Sequence, residues 1–99
     1  MYQIEWTEYS RDDYNKLDGS QKIFVDKALI RIKMYGMYAG QTLHSALAKC
    51  NKLKNKKMWF RIIFRESQGK IEVIQLVVIE KEIKKAVYKT IESRINQLK

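Results

Sequence analysis

The chain has 99 residues, 45% of them hydrophobic, with four glycines and no proline, a composition that sustains one small cored domain and excludes a linker or disordered segment. A single cysteine, Cys50, and a single histidine, His44, exclude an internal disulfide and argue against a zinc site, and neither a metal nor a cofactor is expected. The net charge of +9 lies wholly in the second half: residues 1–48 hold six bases and six acids, residues 49–99 fourteen bases and five acids.

Such asymmetry favours a polyanionic partner: nucleic acid, an acidic protein or a membrane surface. No apolar run approaches the roughly 18–20 residues of a membrane span. The N-terminal residues show no basic region followed by an apolar stretch. The expectation is therefore a cytosolic chain with no membrane partner, forming one domain over residues 1–99.

Tyr2, Ile4 and Trp6 alternate with polar residues and predict a first strand. Ser10 to Asp13 resembles a capping box, with Ser10 as N-cap, so a short helix is predicted to about Leu17, ended by Gly19. Ser20 is the expected cap of a longer helix that runs to about Tyr35 and stops at Gly36. Phe24, Ala28, Ile32 and Tyr35 make one stripe on it, and Ile23, Ile30 and Met34 a second. Two stripes imply two packing surfaces, one on the sheet and one on the first helix or on a partner. Residues 36–46 form a Gly-punctuated loop containing His44, which at a lone loop position is more often a bystander than a catalyst.

A second strand is predicted at about Leu47 to Leu53, a turn at Asn55 to Lys57, and a third strand from Met58 to Glu66. In that third strand Met58, Phe60, Ile62 and Phe64 face one way; Trp59, Arg61, Ile63 and Arg65 face the other. Between Lys49 and Glu66 the bases Lys49, Lys52, Lys54, Lys56, Lys57, Arg61 and Arg65 meet one acid, Glu66. Arginine offers a rigid fork of donors for phosphate, and an indole offers a plane for a base to stack on. The bland alternative is the solvated outer face of an antiparallel sheet. A turn at Ser67 to Lys70 then leads to a fourth strand, Ile71 to Glu80, apolar on both faces over most of its length and therefore central. The last helix is predicted from about Lys81 to Leu98, with Ile83, Val87, Ile91, Ile95 and Leu98 on one face and Tyr88 at its flank. The order is β-α-α-β-β-β-α, an α+β domain.

No Gly-rich phosphate loop or nucleophile motif is present, and Cys50 is expected to be a small buried strand residue. The lysines, arginines and tyrosines that remain suit transfer at a phosphodiester, where charge develops on phosphate oxygens.

The order and spacing of these parts resemble the RelE/ParE superfamily of toxins from bacterial toxin–antitoxin modules, and its RelE-like messenger-RNA interferases in particular. The resemblance covers about residues 1–97. It is carried by Lys52-Leu53-Lys54, Phe60-Arg61-Ile62-Ile63-Phe64, Ile79-Glu80-Lys81-Glu82 and Val87-Tyr88. It implies a small twisted, mainly antiparallel sheet packed on a helical hairpin with a C-terminal helix. It also implies a ribosome-dependent endoribonuclease that cleaves mRNA in the A site, and a cognate antitoxin that neutralises it. The family's catalytic positions fall on Lys52, Lys54, Arg61 and Tyr88. Where the family often has Gly-Lys-Arg-Glu, this chain has Glu80-Lys81-Glu82, so the arginine position falls on Lys81 or Glu82 according to a one-residue shift. Lysine would keep the charge without the bidentate fork.

In the implied reaction the ribose 2′-OH attacks the adjacent phosphate. Arg61, with Lys81 or Arg65, stabilises the pentacoordinate phosphate, and Lys52 or Lys54 is the candidate base. Tyr88 stacks on or orients the nucleotide, or takes part in proton transfer. Lys49, Lys56, Lys57, Trp59, Arg65, Lys84 and Lys85 are the candidates for holding RNA. Two other readings stay open: a ParE-like DNA gyrase inhibitor, and a non-catalytic nucleic-acid-binding regulatory protein of phage or plasmid origin.

Overall fold

The computed structural model describes residues 2–43, 49–55, 57, 60–78 and 84–98, and of residues 78, 84 and 85 the backbone only. The elements are β1 (Gln3–Trp6), α1 (Glu8–Asn15), α2 (Gly19–Tyr35), a 3-10 turn (Gly36–Ala39), β2 (Gln41–Thr42), β3 (Cys50–Asn55), β4 (Phe60–Ser67), β5 (Lys70–Val78) and α3 (Lys84–Gln97). They form a five-stranded sheet in the order β1-β5-β4-β3-β2. β1 runs parallel to β5, and the other pairs are antiparallel. β5 is thus an interior strand, as its apolar run predicts. The expected α+β order holds, with β2 as an addition within the Gly-punctuated loop.

Both helix starts differ from the sequence expectation by a few residues. Thr7, not Ser10, caps α1. Its Oγ1 accepts from the Ser10 N–H at 3.0 Å, while Ser10 Oγ accepts from the Thr7 N–H at 3.0 Å. Ser10 therefore fills the third helical position of a capping box, the place usually taken by Glu or Gln. Asp18, not Ser20, caps α2: Asp18 Oδ1 accepts from the Gln21 N–H at 2.8 Å, and Gln21 Oε1 accepts from the Asp18 N–H at 3.1 Å. Gly19 consequently opens α2 and does not end α1, whose C-cap is Lys16. Gly36 does stop α2, at φ 60, and a Cβ there would meet the Tyr2 ring at 2.5 Å. Gln68 and Gly69, at φ 53 and 79, make the two-residue turn that returns β4 into β5.

The sheet separates two cores. On one face Val25, Ala28 and Ile32 of α2 pack on Phe60, Ile62 and Phe64 of β4 and on Ile71, Val73 and Leu76 of β5. β4 supplies this face by its even positions, as the alternation predicts. On the other face Val87 and Ile91 of α3 cover Cys50, Ile63 and Ile74, with Leu43. Ile63 is therefore buried, and the odd face of β4 lies partly under α3, which corrects the expectation of an open cationic surface. A register shift at Ile63/Phe64 leaves Ile74 as an extra residue in β5. Ile74 and Gln75 break the simple alternation there, and both are buried. Of the first stripe expected on α2, Ala28 and Ile32 are buried and Phe24 packs at the core's margin, whereas Tyr35 is exposed and Val25 takes the remaining buried place. The residues of the second stripe, Ile23, Ile30 and Met34, are exposed. Among the described residues no helix is long and apolar enough to cross a membrane.

Candidate nucleic-acid interface

β3 and β4 pair so that Lys54 lies opposite Arg61 and Lys52 opposite Ile63. β5 extends both rows: Arg61 lies opposite Val77, and Ile63 opposite Gln75. Cross-strand partners stand on one face of a sheet. Ile63 and Val77 belong to the core beneath α3, so Lys52, Lys54 and Arg61 stand on that same face. Tyr88 packs against this core from the first half of α3, with Val77 in the same cluster. Fold and register therefore gather Lys52, Lys54, Arg61 and Tyr88 on one side of the sheet, where α3 leaves off. Lys54 is exposed, and Lys52, Arg61 and Tyr88 are half-buried. The face thus carries three cationic groups and a phenol, a set suited to phosphate and to a stacked base.

The other sequence candidates divide. Lys49 and Lys57 are exposed at the two ends of β3, and the Lys57 N–H donates to Asn55 Oδ1 at 3.0 Å. Arg65 does not join Arg61. It stands four residues on, about 13 Å at roughly 3.3 Å per residue, and its Nε donates to Glu72 Oε1 at 2.8 Å in a largely buried pair. The Cys50–Arg65–Glu72 row closes the far end of this face. There burial pushes the Cys50 thiol above its ordinary range, against a smaller lowering by Arg65. Lys56, Trp59, Lys81, Glu82 and His44 lie outside the described residues, as do the side chains of Lys84 and Lys85. Among the described residues no group of three His, Cys, Asp or Glu side chains could hold a metal.

Sequence reasoning missed the anchor of α3. Arg94 Nη1 donates to Asp13 Oδ2 at 2.6 Å and to the Ile74 carbonyl at 3.1 Å. The Leu76 N–H donates to the same Asp13 oxygen at 3.1 Å. Beside it, an open groove of about 370 Å³ runs between α1 and α3, lined by Tyr9, Lys89, Thr90, Ser93, Arg94 and Gln97. At about 100° per residue, Thr90 and Gln97 fall on the opposite flank of α3 from Tyr88. The only signals in the sequence were a carboxylate in the first short helix and an arginine in the last, neither of which shows its partner.

No family model matches the chain, and no curated protein matches it in sequence. Solved structures do match it in fold. A mutant E. coli RelE toxin in the free state superimposes with a TM-score of 0.76 at 19% identity, covering 95% of this chain and 97% of that one. A mutant E. coli RelE in complex with an antitoxin RelB peptide gives 0.71 at 18%, covering 89% and 90%. The chromosomal ParDE toxin–antitoxin system of P. aeruginosa gives 0.59 at 16%, covering 81% and 98%. The common feature is the fold of the RelE/ParE toxins.

Proposed function

We propose, from a chain with the RelE/ParE toxin fold, that this protein is the toxin of a toxin–antitoxin module and an endoribonuclease that cuts mRNA in the ribosomal A site. The observation that carries this reading is the row Lys54–Arg61–Val77, with Lys52 two residues along β3 on the same face and Tyr88 packed against the same core as Val77. In the proposed reaction the 2′-OH oxygen bonds to the adjacent phosphorus and the bond to the 5′ oxygen breaks, leaving a cyclic phosphate and a 5′-OH. One of Lys52 and Lys54, as the free amine, takes the proton from the 2′-OH, and the other, as an ammonium, gives a proton to the departing 5′ oxygen. Arg61, which never deprotonates, stabilises the pentacoordinate phosphate. Tyr88 orients the nucleotide. The Glu72-bound Arg65 serves the far end of the sheet, which leaves Arg61 as the described arginine at the reacting phosphate. The partners are a cognate antitoxin, the ribosome and mRNA, in the cytoplasm.

The match to ParDE keeps the gyrase reading as the second. The purified chain, added to ribosomes stalled on a defined mRNA, tests both. The nuclease reading expects cuts mapped by primer extension at the A site and no change in gyrase supercoiling. Loss of supercoiling with intact mRNA would replace it with the gyrase reading.

A further inference from the structure

The second apolar stripe of α2 is unused by the core and by the basic face. Ile23, Ile30 and Met34 are 58%, 62% and 54% exposed. At about 100° per residue this stripe points away from the sheet, opposite the buried line Val25, Ala28 and Ile32. With Lys27 its members recur at positions 23, 27, 30 and 34, alternating steps of four and three residues. That is the spacing of a seam between two packed helices. Single apolar residues on a surface are ordinary, whereas a row in register marks an interaction face. α1 does not cover it: Tyr14 of α1 reaches the flank of α2, where its hydroxyl donates to Asp26 Oδ1 at 2.9 Å.

We propose that this seam docks an acidic amphipathic helix of the partner protein. Charge selects that occupant. α2 carries four bases, Lys22, Lys27, Arg31 and Lys33, against one acid, Asp26, whose carboxylate Tyr14 already engages. Lys27 lies within the seam, and Arg31 and Lys33 lie on its two flanks. A second copy of this chain would set that positive excess against itself. A helix with branched aliphatic residues toward Ile23, Ile30 and Met34, and carboxylates toward Lys27, Arg31 and Lys33, meets both requirements. The seam from Ile23 to Met34 is about 17 Å long at 1.5 Å per residue. The proposal deepens the antitoxin reading and rests on it only for the partner's being a protein.

The test is a titration of the full chain with a synthetic helical peptide of about 20 residues, bearing Leu and Ile at seam positions and Glu at the flanks. A second peptide replaces each Glu with Lys. The acidic peptide binds saturably and the basic one does not. Ile30→Glu weakens binding of the acidic peptide by about tenfold or more while the melting temperature is kept, because Ile30 is outside the core. Lys27→Glu shifts the preference toward the basic peptide. Equal binding of the two peptides, or full binding by Ile30→Glu, overturns the proposal. So does a concentration-dependent dimer of the wild-type chain that Ile30→Glu abolishes, which would assign the face to a second copy. The titration reads no RNA chemistry, so its failure is separate from a failure of the nuclease reading.

Discussion

Arg94 grips Asp13 through both terminal guanidinium nitrogens, Nη1 to Oδ2 at 2.6 Å and Nη2 to Oδ1 at 3.1 Å. The pair closes the edge of β5 where β1 has ended. β1 pairs with β5 only as far as Trp6 opposite Val73. Beyond that point the Ile74 carbonyl and the Leu76 N–H would be bare strand-edge groups, and Arg94 and Asp13 satisfy them. One ion pair thereby joins α1, β5 and α3. Arg94→Met leaves a largely buried carboxylate without its cation, and is expected to cost about 3 kcal/mol. For a domain of this size that lowers the melting temperature by roughly 12 °C or more. Asp13→Leu combined with Arg94→Met recovers only part of the loss, because the two backbone groups remain unpaired. Thermal unfolding of the single and double variants checks this, and full recovery in the double variant would contradict the edge-closing role.

Gln75 makes a second prediction. It is 6% exposed, and its Oε1 has no hydrogen-bond partner among the described residues. A buried acceptor without a donor costs about 1–3 kcal/mol. Gln75→Met keeps the length and removes the unpaired oxygen, so stability is expected to rise by about 1 kcal/mol, or roughly 4–8 °C in melting temperature. A fall measured by the same thermal unfolding would mean that the Gln75 amide is held by a partner.

Asp18 predicts a pH dependence. The Gln21 N–H, then the Ser20 hydroxyl, hold its carboxyl below the usual carboxylate range. A folded-state value below the unfolded one gives stabilisation that is complete above the unfolded value and disappears as pH falls through the folded one. Asp18→Ala therefore melts below the wild type at neutral pH, and the gap closes in acid. Asp18→Ser keeps a capping oxygen without a titrating group, so its stability lacks this acid-dependent part. Melting curves from neutral pH to about pH 2 read both. A gap for Asp18→Ala that stays constant throughout would refute the carboxylate's part in the cap.

The fold was legible where periodicity dominates. Phe60, Ile62 and Phe64 announced the buried face of β4, and the doubly apolar run from Ile71 announced an interior strand. The caps were misplaced because Ser10 and Ser20 each sit three or two residues inside a box opened by Thr7 or Asp18. Either hydroxyl fits the local pattern, and only the reciprocal bonds distinguish them. In the candidate site, the Lys54–Arg61 pairing follows from the strand registers, which the sequence left open. The burial of Ile63 and the capture of Arg65 by Glu72 were not legible. They depend on α3 crossing the odd face of β4, and on a bulge at Ile74 that no residue type announces. The Asp13–Arg94 pair spans 81 positions of sequence, beyond the reach of any local pattern.

The role of Arg61 is read from cleavage of ribosome-bound mRNA by the wild type and by Arg61→Ala, followed at single turnover. The wild type is expected to leave 5′-hydroxyl ends at the A site. Arg61→Ala, lacking its cation at the developing phosphate charge, is expected to slow by about 100-fold or more with its fold intact. An unchanged rate in Arg61→Ala would remove Arg61 from the reacting phosphate, and ribosome-bound mRNA left uncut by the wild type would mean that the chain is not a ribosome-dependent nuclease.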